Sequence, residues 1–194
     1  MGLIVLVLGL VIVLGAHVFV TFREQRAALA ARLGRAYRAI FALVSLVGLV
    51  LIIWGFSEYR AHGLVQIWSP PAVMRHIAMP LVLLAVIFLV AAFIPCHIRS
   101  WLKHPIVTSV KTWALAHLLA NGDLGGIILF GSFLLWGGYS RVAAKRRGDL
   151  GAAAKPIPED WTNDIIAVVL GILIFLALGY WFHPYVIGLP VFGR

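Results

Sequence analysis

Two histidines of this sequence lie within apolar stretches, where an imidazole is a candidate for chemistry. His17 lies six residues before Arg23, and His117 lies six residues after Lys111. With a helical rise of about 1.5 Å per residue, both imidazoles would lie roughly 9 Å inside the same membrane boundary, on two different helices. An ionisable residue at such a depth indicates a functional site, and a neutral histidine that hydrogen-bonds to a neighbouring helix is the structural alternative.

A haem iron is one ligand that such a pair can hold, because two neutral imidazoles can face each other across a helix bundle. Zinc would need three or four protein ligands, and the sequence offers no cluster that supplies them. Gly15 and Ala16, beside His17, would leave room for a flat, bulky ligand. The hypothesis for this pair is therefore a haem site with His17 and His117 as its metal ligands.

The helix that carries His117 has clear start and stop signals about 16 residues apart. Pro105 favours the start, because proline at the first helical position loses no hydrogen bond. Gly122 favours the stop, because glycine tolerates the left-handed C-terminal cap. Trp113 lies four residues before His117, so we expect the two side chains to share one helix face and Trp113 to contact the ligand.

Basic side chains cluster at the start of this helix. His104 and Lys111 fall on one helical stripe, and Arg99 and Lys103 lie just before it. A basic stripe at a helix N-terminus suits an anion such as a lipid phosphate or a haem propionate. These four residues are thus candidates for propionate binding, with simple contact to anionic lipid as the alternative.

Composition identifies the class of protein. The chain is 62% apolar with a mean hydropathy of +1.01, and long apolar runs recur along it, so we expect a polytopic membrane protein. The net charge of +9 does not indicate nucleic acid, because the cations lie between the apolar runs. The single cysteine, Cys96, excludes an intrachain disulfide, and its neighbour His97 makes only a weak metal signal.

Six apolar runs predict an all-α integral membrane bundle of six transmembrane helices. The predicted spans cover about residues 3–22, 39–57, 75–96, 105–120, 124–139 and 165–182. Ser69-Pro70-Pro71 should break the chain before the third span, and His183-Pro184 should end the sixth. Residues 23–38, which hold five arginines, are expected to form a basic loop.

The cations predict the orientation. The connections around the ends of spans 1, 3 and 5 hold thirteen of the 16 Lys and Arg residues, whereas Arg60, Arg75 and Arg194 fall on the other side. Since cytoplasmic connections are enriched in cations, we expect both termini outside, in the periplasm.

The depth of Lys111 in the membrane decides between two possible environments for Asp123. If Lys111 marks the membrane boundary, only about 17 Å of helix remains before Gly122, and Asp123 would lie in a polar recess that could carry water or protons. If Lys111 instead reaches down to the interface, the helix spans fully and Asp123 caps the next helix.

The segment from Lys103 through Pro105, followed by WALAHLLANGD at 113–123, resembles the NnrU family of bacterial membrane proteins. Members usually carry Arg-His-Pro, a spacer and a Trp-Ala-x-x-His segment that ends in Asn-Gly. Lys103 stands where arginine is common, and His17 matches a second family histidine. The resemblance spans most of the chain and implies one transmembrane domain over residues 1–194 in a bacterial inner membrane.

That family is similar to the plant and cyanobacterial 15-cis-zeta-carotene isomerases, which are membrane haem b proteins. The resemblance implies haem b as cofactor, since the haem-linked histidines of the isomerases correspond to His17 and His117. Those enzymes carry a cysteine three residues before the second histidine, where this sequence has Ala114. The family name implies a link to nitrite and nitric oxide reduction.

Three function classes stay open. The first is a haem-dependent, isomerase-like enzyme for an apolar, carotenoid-like substrate that enters from membrane lipid. The second is a haem protein without catalysis that passes electrons, or senses nitric oxide or redox state, for a denitrification partner protein. The third is a haem-free transporter or assembly factor that uses the recess at Asp123.

Overall fold

The computed structural model describes residues 1–157 and 160–192, so Arg194 of the orientation count lies outside it. This part of the chain is helical, and only one isolated β-bridge is found in it. Its helices are α1 (Gly2–Phe19), α2 (Arg23–Leu33), α3 (Ala36–His62), α4 (Ala72–Ala91), α5 (His97–Leu102), α6 (Pro105–Ala120), α7 (Leu124–Arg146), a 3₁₀-helix (Gly151–Ala154), α8 (Thr162–Ala177) and a π-helix (Leu178–Ile187).

Five helical stretches within the described residues are long and apolar enough to cross a membrane. They are Gly2–Phe19, Ala36–His62, Ala72–Ala91, Leu124–Ala154 and Thr162–Ile187. The all-α fold is therefore confirmed within the described residues, and the five long apolar helices are those of a multi-pass membrane protein. The predicted fourth span is α6, whose 16 residues make it shorter than these five. A sixth crossing and the periplasmic location of both termini stay predictions.

The prediction of a basic loop at residues 23–38 is wrong. Residues 23–33 form the 11-residue helix α2, and α3 already begins at Ala36. Alanine, leucine and arginine dominate α2, and all three are strong helix formers. Gly34 separates the two helices with a φ of 55°, which glycine adopts without a steric penalty.

The prediction that His183-Pro184 ends the last span is also wrong, because the helix continues to Ile187 as a π-helix. In an α-helix the Pro184 ring would collide with the carbonyl four residues earlier, and the wider π turn gives this ring more room. Gly188, with a φ of 77°, ends the segment. The break at Pro70-Pro71 is confirmed, since α4 begins directly after Pro71.

The chain divides into two compact units. Unit 1 comprises Met1–Ser69 and Asn121–Ala143, and unit 2 comprises Pro70–Ala120 and Ala144–Arg194. In unit 1, α1 packs on α3 along glycines. A Cβ atom on Gly9 would lie 2.7 Å from the Gly48 carbonyl oxygen, and one on Gly55 would collide with the Leu6 backbone. Small residues are the general means by which membrane helices approach closely.

Gly55→Ala is therefore expected to destabilise unit 1 by about 1–3 kcal/mol, because the new methyl group meets backbone atoms that cannot rotate away. Gly131→Ala is the matched control, since no atom lies within 4 Å of the Cβ position there. Thermal unfolding in detergent measures both. Equal melting temperatures for the two variants would contradict the close α1–α3 contact.

In unit 2, α4 packs against both α6 and α8. The Ser109 hydroxyl of α6 donates a 2.6 Å hydrogen bond to the Ala85 carbonyl of α4. On the α8 side, a Cβ atom on Gly171 would lie 2.6 Å from Ile87. These close contacts fix α6, the helix that carries His117, against α4.

Candidate functional site

His17, near the end of α1, has one ring nitrogen fixed by the backbone. Its Nδ1 lies 2.8 Å from the carbonyl oxygen of Val13, one turn earlier. A carbonyl oxygen only accepts, so Nδ1 donates the hydrogen and the lone pair of the neutral ring is on Nε2. Aromatic rings lie on two sides of the imidazole, with Phe41 at 5.3 Å and Trp136 at 5.7 Å between ring centroids.

His117 in α6 repeats this local geometry. Its Nδ1 donates a 2.9 Å hydrogen bond to the Trp113 carbonyl, again one turn earlier. The Trp113 ring centroid is 5.1 Å from that of His117, which confirms the prediction that the two share a helix face. His17 belongs to unit 1 and His117 to unit 2, and their pairing stays a prediction.

Histidines that bind metals usually donate their other ring N–H to a carbonyl or a carboxylate, which fixes the tautomer and the ring orientation. The two hydrogen bonds to Val13 and Trp113 are of this kind. Each of the two residues is therefore suited, by its own local structure, to offer Nε2 to a metal.

His183 is a residue that the sequence reasoning missed. It lies in the π-helix with its ring centroid 6.4 Å from that of His117 and the two ring planes 21° apart. Its Nδ1 donates a 3.0 Å hydrogen bond to the Leu178 carbonyl. The sequence predicts that the helix ends at His183-Pro184, so it gives His183 no place in a site. His183 and His117 are 66 positions apart, and sequence patterns do not predict a contact over that distance.

Three buried polar atoms in unit 1 have no hydrogen-bond partner within the described ranges. They are the Tyr37 hydroxyl, the Ser45 hydroxyl and the Trp136 indole nitrogen. Trp136 touches His17, and Tyr37 stacks on Phe41, which touches His17 as well. A buried polar group without a partner costs about 1–3 kcal/mol, so these atoms are candidates to hydrogen-bond a ligand.

Two of the four predicted propionate-binding residues, all of which lie in unit 2, already form hydrogen bonds within the protein. The His104 Nε2 lies 3.2 Å from the Asp149 carbonyl oxygen, and the Lys103 carbonyl accepts a 2.7 Å hydrogen bond from the Ala152 amide. The remaining two, Arg99 and Lys111, lie in α5 and α6. A role of these side chains in anion binding stays a prediction.

Asp123 is confirmed as a helix cap. Its carboxylate accepts a 2.8 Å hydrogen bond from the Gly126 amide in the first turn of α7, and only 5% of the residue is exposed. Asp123 also forms a β-bridge with Gln66, and a Cβ atom on Gly122 would collide with the Trp68 carbonyl. The capped turn explains the burial of this acid, and a proton path through it stays a prediction.

Asp164 at the start of α8 is a second site that the sequence reasoning missed. Its carboxylate accepts hydrogen bonds from the His97 amide at 3.2 Å, the His97 Nδ1 at 2.8 Å and the Ile98 amide at 2.9 Å. The Trp161 ring stacks on His97 at 4.1 Å. This arrangement holds the start of α5 against α8.

Cys96 takes part in the same junction. Its sulfur accepts a 3.4 Å hydrogen bond from the Arg99 amide and so caps α5. Burial raises the pKa of the Cys96 thiol, which keeps it protonated and a poor metal ligand at neutral pH.

The fold and the site together define a multi-pass helical membrane protein with histidines in or beside its apolar helices. The chain belongs to the NnrU family, whose sequence model, described as NnrU protein, matches residues 5–191. No curated protein and no solved structure matches the chain.

Proposed function

We propose that this NnrU-family membrane protein binds one haem b, and that His17 and His117 are the residues that would hold its iron. The observation that carries the proposal is the shared geometry of the two histidines. In each, the Nδ1–H group donates a hydrogen bond to a backbone carbonyl one turn earlier, so the ring is held in the tautomer whose Nε2 can bind iron.

The surroundings of His17 support a large, flat, mostly apolar ligand. Phe41 and Trp136 provide aromatic surface beside the imidazole, and no atom lies within 4 Å of a Cβ position on Gly15. The indole N–H of Trp136 can donate to an oxygen of the bound group, which would remove the cost of its missing partner.

Bound haem would supply an iron centre for redox or Lewis-acid chemistry, and the protein would hold it and exclude water. Trp113 would pack beside the group on the His117 side. An apolar, carotenoid-like substrate would enter from the lipid, because the helices present large apolar side chains on their exposed faces. An isomerase-like reaction is the enzymatic form of this proposal.

A second function, electron transfer or nitric oxide sensing for a denitrification partner, is favoured by Ala114. This residue occupies the position of the cysteine in the resembling isomerases, and it is completely buried. A methyl group cannot bind iron, so histidines alone would hold the haem. Coordination by two histidines is well suited to a haem that transfers electrons.

The visible absorption spectrum of the detergent-purified protein, oxidised and then reduced, tests the proposal. We expect a Soret band with sharp reduced α and β bands, as a low-spin haem with two histidine ligands gives. Carbon monoxide or nitric oxide binding to the reduced protein would favour the enzyme, and its absence would favour electron transfer. A protein that stays colourless after haem is supplied would contradict haem binding and favour a haem-free transporter or assembly factor.

A further inference from the structure

The arginines that follow α1 surround a cleft. Helix α2 and the start of α3 form a depression of about 340 Å³ in unit 1. The residues that line it share one face of α2 or follow it in the chain: Arg23, Arg26, Ala27, Ala30, Gly34, Tyr37 and Arg38. Three arginines and two alanines therefore line the same depression.

A second cleft of about 330 Å³ adjoins the first. Gly34, Arg35 and Arg38 line it, so Gly34 and Arg38 belong to both. The positive φ of Gly34 turns the chain between the two helices and leaves both clefts open beside it. The protein thus has two adjacent arginine-lined depressions, and Arg38 lines both of them.

Residues 23–38 carry far more positive than negative charge. Residues 23–38 hold five arginines and one acid, Glu24, which lines neither cleft. Arg26, Arg35 and Arg38 are exposed, and none of them forms an ion pair with a carboxylate in the part of the chain that the structure describes. Such guanidinium groups bind phosphate oxygens strongly, often through two parallel hydrogen bonds.

The position of the clefts in the chain favours the phosphate of a lipid headgroup over a soluble phosphate. Their lining residues belong to the segment that joins the candidate spans Gly2–Phe19 and Ala36–His62, or to the first turn of the second span, and such a connection lies at a membrane surface. Phospholipid headgroups are concentrated at this level, and clusters of basic residues directly beside a membrane helix are a known type of site for anionic lipids. Ala27 and Ala30, which line the first cleft, can contact the glycerol part of a lipid.

We propose that the two clefts bind the two phosphates of one anionic phospholipid of the cardiolipin type, with Arg38 between them. A lipid with two phosphates joined by a short glycerol bridge can occupy both depressions at once. A lipid with one phosphate can occupy only one, and a zwitterionic lipid adds a cation that the arginines repel.

Native mass spectrometry of the detergent-purified protein tests this proposal by titration with cardiolipin, phosphatidylglycerol and phosphatidylcholine. We expect cardiolipin to bind about tenfold more tightly than phosphatidylglycerol, and Arg38→Gln to remove about tenfold of the cardiolipin affinity. Arg32→Gln is the matched control, because Arg32 is an exposed arginine of α2 that lines neither cleft. Equal cardiolipin affinities for Arg38→Gln and Arg32→Gln would overturn the proposal.

Two further measurements separate the lipid from other anions. Inorganic pyrophosphate should fail to displace bound cardiolipin, and full displacement at equal concentration would assign the clefts to a soluble phosphate instead. Arg38→Gln should keep the absorption spectrum of the wild-type protein. A changed haem spectrum would assign this arginine to a haem propionate and overturn the lipid site.

Discussion

Replacing His117 with alanine is expected to abolish haem binding or to change the absorption spectrum markedly, and His17→Ala should do the same. Each substitution removes an imidazole whose Nδ1 is held by a backbone carbonyl. Six-coordinate iron would lose one strong ligand, so the sharp low-spin bands should broaden or disappear. Haem content per protein and the reduced spectrum are the measurements.

His62→Ala is the control for both variants, because His62 is exposed and its Nδ1 lies 3.4 Å from the carboxylate of Glu58 on the same helix. It should keep the wild-type haem content. Wild-type spectra in both ligand variants would refute the assignment. A loss of the low-spin bands in His183→Ala but not in His17→Ala would replace His17 with His183, the ring that lies 6.4 Å from His117.

Asp164→Ala should lower the stability of the protein by about 3–5 kcal/mol, because three donors would lose their acceptor in a buried environment. For a chain of this size we expect a fall of roughly 10 °C in the melting temperature. The effect should centre on the junction of α5 and α8, where Ala91, Cys96 and Ala167 form a small buried cluster.

Asp160→Ala is the matched control, since Asp160 is an exposed acid of the same segment whose carboxylate accepts a 3.0 Å hydrogen bond from the Thr162 amide. Its loss should cost about 1 kcal/mol or less. Asp164→Asn should fall between the two, because the amide keeps one acceptor oxygen. Thermal unfolding in detergent ranks the three variants, and equal losses for Asp164→Ala and Asp160→Ala would disprove the role of the buried carboxylate.

Local signals in the sequence predicted several elements well. Pro105 begins the helix that carries His117, and Asp123 caps α7, because each of these effects acts within one helical turn. The helix also ends close to Gly122, at Ala120, but the left-handed cap predicted for Gly122 is wrong, since its φ is not positive. Gly122 is required there by the close approach of the Trp68 carbonyl. The pairing of Trp113 with His117 was predictable for the same reason, since residues four apart in a helix are neighbours.

Residues 23–38 form a different structure from the basic loop that their charge pattern predicts. Their five arginines between two apolar runs predict a cytoplasmic loop, whereas the alanines, leucines and arginines of residues 23–33 form a helix. Only the fold reveals that α2 and the start of α3 form two clefts around Arg38. Charge alone does not tell whether cations are dispersed or surround a site.

The sequence by itself determined that this is a helical, multi-pass membrane protein of the NnrU family, because hydropathy and family motifs are properties of contiguous residues. Only the tertiary structure decided that His183 lies beside His117 and that Asp164 binds His97, 67 residues away. Such contacts depend on how helices pack and on the π turn around Pro184. Periodicity and capping signals describe one helix at a time, so they contain no information on which faces of distant helices meet.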